Sequence, residues 1–289
     1  MSTISQNLKS ANQWTTDTTK DMKYQKIALL LSAALLFSCT DKPQNDPAPA
    51  YYHKMLAMEF TSVNCTYCPE LAESMENIQK RFPGRTAVAA FHSEALGNDP
   101  MSLPLNDKIL NKVTTGQGLP MFSLDFRKSS RHITSQEELI ASEIELRLEN
   151  HKPDCGVAID SEYDRAEGKI KVTARFISSV AESYRYHIFL VEDGIQYMQA
   201  GEDGTYTHMN VVREIAADNI YGTRLNQGNA LEVGKEYQIE RAFDLNKEWN
   251  PDNMRVIACI MQSEDGSTYT CDNSNECALG SRSDYLFEK

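Results

Sequence analysis

The sequence predicts an α/β domain over residues 51–152, followed by an all-β domain, an antiparallel β-sandwich, over residues 153–289. Two observations predict this. Between residues 55 and 148, short apolar runs alternate with segments whose apolar residues recur every three or four positions, the order that builds a sheet covered by helices. Beyond His151-Lys152-Pro153-Asp154 the helical spacing stops, and alternating strand patterns recur between Gly, Asn and Asp turns. A length of 289 residues suffices for two cores, and 41% hydrophobic with 24% charged residues is the mixture of a folded chain.

The first fifty residues read as an address. Lys23 and Lys26 precede an eleven-residue apolar run, Ile27 to Phe37, that ends at Ser38-Cys39. A membrane-spanning helix needs about 20 apolar residues. A shorter run behind basic residues describes a secretory signal over residues 22–38. Leu36-Phe37-Ser38-Cys39 resembles a bacterial lipobox, which implies lipidation of Cys39 and attachment to a membrane through that lipid. The alternative is an ordinary signal peptide with an incidental cysteine. Residues 39–50, polar and proline-rich, read as a tether. Residues 1–21 are polar without a helical stripe, and translation is expected to begin at Met22.

From Tyr51 onward the elements are regular. Met55 to Phe60 is an apolar strand that runs into Cys65-Thr66-Tyr67-Cys68-Pro69. Leu71, Met75, Ile78 and Phe82 share one helical face, stopped by Pro83-Gly84. Thr86 to Phe91 is a second strand. Leu103, Leu105, Ile109, Leu110 and Val113 mark a second helix, with Pro104 near its start. Gly116 to Phe126 supplies a glycine-rich turn, Pro120 and a third strand, with Arg131 to Thr134 as its expected hairpin partner. Thr134 and Ser135, with Glu137 and Glu138 three residues on, form capping boxes ahead of a helix that places Leu139, Ile140, Ile144 and Leu148 on one side.

A CxxC between a strand and a helix, with a proline before a later strand, resembles the thioredoxin fold. The resemblance implies a thioredoxin-like domain in which Leu119-Pro120 is cis and faces the dithiol. A cysteine at a helix N-terminus has its thiolate stabilised by the helix dipole and free backbone N–H groups. Cys65 is then the attacking thiol, Cys68 the resolving one, and Pro120 the border of the docking site. Three readings of the motif stand open: a working thiol–disulfide oxidoreductase, a structural disulfide on the same scaffold, and zinc binding. No second CxxC or Cys-His pair completes four zinc ligands. No metal or other cofactor is expected. Asn64 stands where the family usually carries Trp. His53 and His92 read as surface or edge residues, His92 at the end of a strand that can approach the dithiol.

In the second half, Val157 and Ile159, then Ile170, Val172, Ala174 and Phe176, alternate with polar residues. Tyr184 to Glu192, Glu236 to Leu245 and Arg255 to Ser263 add further strands. Export places Cys65, Cys68, Cys155, Cys259, Cys271 and Cys277 where disulfides persist. With Cys65 paired to Cys68, three pairings of the others remain. Cys155 and Cys259 sit in strand candidates and can pair between strands, while Cys271 and Cys277, in a polar loop, can pair locally. His187 and His208 lack metal or triad spacing. Asp193-Gly194, Glu202-Asp203-Gly204 and Glu264-Asp265-Gly266 read as turns, with loose calcium binding the minority case.

A net charge of −12 and a pI near 5.0 argue against nucleic-acid partners. Glu59-Phe60-Thr61 leading to Cys65-Thr66-Tyr67-Cys68-Pro69, together with Tyr206, His208, Val211 and Arg213, is similar to the two motifs of the Bacteroidetes lipoproteins related to the 28-kilodalton outer-membrane protein. Met209 and Asn210 stand where that family usually has asparagine and a second histidine. The resemblance implies an outer-membrane, lipid-anchored envelope protein whose partners are other envelope or surface proteins, with no established reaction. Two functions follow as expectations: thiol–disulfide exchange with envelope proteins, or non-enzymatic surface binding or adhesion with the CxxC as a staple.

Overall fold

The computed structural model describes residues 50–114, 118–129 and 137–289. The signal segment 22–38, Cys39, most of the tether, residues 1–21, the hairpin partner Arg131 to Thr134 and the Thr134 and Ser135 caps lie outside the described residues. The first half runs β1 (Met55–Thr61), α1 (Cys68–Arg81), β2 (Thr86–His92), α2 (Asn106–Val113), β3 (Met121–Leu124) and α3 (Glu137–Asn150). The second runs β4 (Cys155–Asp164), β5 (Lys169–Ser178), β6 (Tyr184–Glu192), β7 (Ile195–Tyr197), β8 (Tyr206–His208), β9 (Val211–Ala216), β10 (Thr223–Arg224), β11 (Glu236–Asp244), β12 (Met254–Ser263), β13 (Tyr269–Ala278) and β14 (Arg282–Ser283). Strand predominates over helix.

Every strand and helix expected from periodicity in the described residues forms, most within two residues of its expected bounds. α1 shows why. Pro69 sits in its first turn, where the missing N–H costs nothing, and Glu70 follows at the positive end of the dipole. Lys80 and Arg81 occupy its last turn, and Leu71, Met75 and Ile78 are fully buried. Each of those side chains contributes about 1.5–3 kcal/mol by leaving water.

The halves share a sheet. Its order is β13-β12-β6-β9-β2-β1-β3, with β10 added beside β6. β1 and β2 pair in parallel over seven residues, and β3 runs antiparallel at the edge. β6, β12 and β13 pair antiparallel. The seam between the two sets is narrow: β2 meets β9 at the single pair Ala90↔Val211, with Ala90 N–H donating to the Asn210 carbonyl at 2.7 Å. Residues 153–289 therefore extend the sheet that begins at residue 55.

Three apolar clusters hold the layers. One lies between β1–β3 and helices α1 and α3, with Met55, Ala57, Leu71, Met75, Phe122 and Ile144. A second crosses the seam, joining Met58, Phe91 and Ile109 to Phe189, Ile257 and Cys259. The third lies between β6 and β12 and a four-stranded sheet, β11-β5-β4-β14, with Val157, Val172, Phe176, Ile188, Val256 and Ile260. β5 alternates buried positions with exposed or partly exposed ones, as its sequence predicts.

β13 departs from expectation. Its sequence is polar enough to read as a loop, yet Asp272, Asn273, Ser274 and Asn275 are buried. They serve as internal hydrogen-bonding groups: the Asn273 amide donates to the carbonyls of Tyr52 and Cys155, and the Asn275 amide to those of Val157 and Asp284. Cys271 and Cys277 thus lie on a strand and not in a loop. The expected pairings do not form: Cys155, Cys259, Cys271 and Cys277 are all free, buried thiols.

Candidate functional site

The chain leaves β1 through a tight turn in which Cys65 N–H donates to Ser62 O at 3.0 Å and Cys68 N–H to Cys65 O at 3.3 Å. Cys68 is the first residue of α1, and Tyr67 makes no side-chain cap. Cys65 and Cys68 are joined by a disulfide. Leu119 packs in the same cluster as both cysteines, and the Leu119–Pro120 bond is cis, as the resemblance implied.

Both sulfurs are covered. Cys65 is 2% exposed and Cys68 1%, whereas Tyr67 between them is 59% exposed. The segment after β7 is fastened to the backbone of this turn. Gln199 donates from Nε2 to the carbonyls of Ser62 at 3.1 Å and Cys65 at 2.7 Å, and Ala200 N–H donates to Val63 O at 2.8 Å. Gly201 lies against Thr66 so closely that a Cβ there would stand 2.8 Å from the Thr66 carbonyl oxygen.

Beside Cys68 is a small cavity of about 20 Å³, room for one water. Glu59, Cys68, His92, Gln199, Tyr206 and His208 line it. Glu59 is a buried acid inside a strand that is otherwise almost wholly apolar. Burial, and then the charge of Glu76, push its carboxyl up to about 8. Burial, and then neighbouring His92, lower His208 to about 4, and its Nε2 has no hydrogen-bond partner among the described residues. Burial raises Tyr206 to about 12. At neutral pH these three groups are uncharged, matching a site with little water.

His92 is 1% exposed, which corrects the surface reading of the sequence; its Nδ1 lies 2.9 Å from Asp99 Oδ2. Burial alone would raise Asp99, but His92 and the amides of Val63 and Met101 outweigh it and hold the carboxyl below its ordinary value. His53 is likewise buried, with Nε2 3.2 Å from Asp125 Oδ2, away from the cavity. His187 is buried on β6 between the rings of Phe126 and Phe189. The three acidic turns hold their glycines at positive φ, and Asp265 accepts from the amides of Ser267 and Thr268, the turn chemistry expected of them. No group of metal-ligating side chains occurs among the described residues.

The structure therefore brings the two sequence motifs together. Tyr206 and His208, some 140 positions after the CxxC, line its cavity. Asn210 forms the seam with Ala90, and Val211 pairs across it. Arg213 points elsewhere, to Glu192 at 3.3 Å and over the Trp249 ring. Sequence reasoning missed Glu59 and Gln199 as site residues. A lone acid in an apolar strand is a signal for the first; nothing marks the second.

Solved structures share the fold. No curated protein matches the chain. A solved structure of HBP35 of Porphyromonas gingivalis is similar at a TM-score of 0.67 and 16% identity, covering 80% of this chain and 76% of that one. A protein of Agrobacterium tumefaciens is similar at a TM-score of 0.52 and 11% identity, over 79% of this chain and 95% of that one. At such identities the likeness concerns the fold. The family model described as outer membrane protein Omp28 matches residues 109–275, more than half of the sequence, from α2 through the cavity-lining Tyr206 and His208 to β13. The chain belongs to the Omp28 family of outer membrane proteins.

Proposed function

We propose that this is a lipid-anchored envelope protein of the outer membrane whose Cys65–Cys68 pair exchanges with disulfides of other envelope proteins. In this reading a signal over 22–38 is removed, Cys39 carries the lipid, and a tether holds a thioredoxin-like unit (51–152) whose sheet continues into a β-sandwich (153–289). The family description supports the location. The observation that carries the chemistry is the disulfide at the start of α1 beside a buried acid of raised pKa.

Exchange runs in two steps. A partner thiolate attacks Cys65 Sγ, forms a mixed disulfide and expels Cys68 as a thiolate; Glu59, protonated at neutral pH, can supply that thiolate with a proton through the cavity. A second partner thiol then displaces Cys65, so two electrons pass from the partner dithiol to the pair. In reverse, the Cys65 thiolate reduces a partner disulfide. Pro120 borders the docking site.

Burial of both sulfurs favours a second reading: a non-enzymatic binding or adhesion lipoprotein in which the disulfide is a staple. The reduction potential separates the two. Structural disulfides lie below about −300 mV, and exchange-active ones above. Insulin reduction by the protein, abolished in Cys65→Ser, supports exchange. A potential below about −300 mV, with no insulin reduction and no change in envelope disulfides on Cys65→Ser, overturns it.

A further inference from the structure

We infer that Gln199–Gly201, carried on the β7–β8 hairpin, is a lock over the Cys65–Cys68 disulfide that must lift before any thiol reaches it; this rests on the exchange reading above. The two sulfurs are at most 2% exposed while Tyr67, inside the same motif, is 59% exposed. The motif lies at the surface, and the hairpin segment closes over it. Three hydrogen bonds fasten that segment, two from the Gln199 amide and one from Ala200 N–H, and all end on carbonyls of residues 62–65. Gly201, at φ +92°, permits the close contact with Thr66.

The hairpin is built to move. β7 and β8 pair only with each other and belong to neither large sheet. The tip, Gly201 to Thr205, is exposed. The base is held by Gly194 N–H donating to His208 O at 3.0 Å and by Ile195 against Val63, Met101 and Val211. Lifting Gln199–Gly201 therefore breaks three hydrogen bonds and no ladder of the main sheet. Elements with few buried contacts open at far lower cost than the whole fold.

With the lock closed, no thiolate can reach Cys65 Sγ to form the mixed disulfide and release Cys68. With it open, dithiothreitol supplies both electrons: one of its thiolates bonds to Cys65, and its second thiol closes the reductant's own ring and frees the Cys65 thiol. The Gln199 bonds end on backbone carbonyls, one of them that of Cys65, so their loss shifts the opening equilibrium by roughly tenfold or more.

The test follows reduction of the pair in the purified full chain by dithiothreitol, quenched with acid and read as the gain of two alkylated thiols by mass. The native wild-type disulfide is expected to react at least 100-fold more slowly than the same disulfide in urea-unfolded chain. Gln199→Ala and Gly201→Ala, the latter pushing the segment off Thr66, are expected to stay folded and to react tenfold or more faster than native wild type, with stability lowered by about the 1.4 kcal/mol that a tenfold shift represents. A native wild-type disulfide as fast as the unfolded one overturns the lock however the variants fold; so do folded variants that react at the wild-type rate. Insulin turnover decides the exchange reading separately. Faster variants without turnover keep the lock and discard exchange, whereas Cys65-dependent turnover with unchanged variant rates does the reverse.

Discussion

Replacing Glu59 by Gln tests whether a protonated acid sits beside the disulfide. In the folded protein the carboxyl titrates at about 8, against an ordinary value of 4.5, because burial disfavours its charge and Glu76 adds repulsion. Between those two pH values the folded chain holds a proton that the unfolded chain has released, so stability falls as pH rises. The contribution is fully present below pH 4.5 and is lost progressively up to about pH 8, beyond which nothing more is lost. At 1.36 kcal/mol per pH unit the whole interval amounts to about 5 kcal/mol. That is an upper bound, since the adjoining cavity admits a water that eases the charge. Glu59→Gln keeps the size and polarity of the side chain and removes the titration. Urea unfolding at pH 4.5, 6 and 8 is expected to show the variant close to wild type at pH 4.5 and more stable by several kcal/mol at pH 8. Other titrating groups act on both proteins and cancel in the difference. A difference that does not change with pH refutes the raised pKa, and with it the proton source assigned to Cys68.

Two further outcomes follow from groups outside the cavity. Arg255 bonds Asp193 at 2.6 Å, Glu276 at 3.2 Å, the Val88 carbonyl at 2.7 Å and the Asn210 side chain at 2.7 Å, fastening β12 across the seam to β2. Arg255→Met is expected to destabilise the fold by about 3 kcal/mol, the low end for removing one partner of a buried pair because both acids keep some water; an unchanged thermal midpoint would show that the seam does not depend on it. Burial pushes the thiols of Cys155 and Cys271 well above their ordinary range and raises that of Cys277. Iodoacetamide at pH 8 should leave these three and the fully buried Cys259 unmodified in the native protein and alkylate all four in urea without reductant; fewer than four in urea would reveal a disulfide among them.

Most of the elements were legible because their signals are local. The spacing of Leu71, Met75 and Ile78 shows α1, and alternation over Ile170 to Phe176 shows β5, whatever surrounds them. β13 was not legible, because Asp272, Asn273 and Asn275 carry the composition of a loop and are buried only to bond segments brought over from residues 52, 155 and 157. A strand of that kind is specified by its partners, not by its own propensity. The expected cysteine partners differ for the same reason: pairing needs side chains that face one another, and spacing along the chain does not report that Cys259 lies against Cys271 while Cys155 and Cys277 belong to another cluster. At the site, the CxxC was visible and its depth was not, since the cover arrives from a hairpin more than 130 residues away.

That origin has a consequence for how binding and chemistry are related in this chain. The hairpin that carries the lock also carries the cavity wall: Gln199 follows β7, while Tyr206 and His208 form β8. The seam residue Asn210 follows two positions on, at φ 61°, a left-handed conformation that asparagine tolerates better than most residues. Its amide N–H donates to Asp193 at 2.6 Å, which bonds Arg255 in turn. A partner that pulls on the whole hairpin, and not only on Gln199–Gly201, shifts Tyr206 and His208 relative to Glu59 as well. Opening the disulfide to a thiol and admitting water to the buried acid are then one movement. Water would lower the Glu59 pKa toward its ordinary value by removing the burial that raised it. The acid then holds its proton less tightly, and gives it up once attack on Cys65 has expelled the Cys68 thiolate, so proton transfer follows opening and attack in that order.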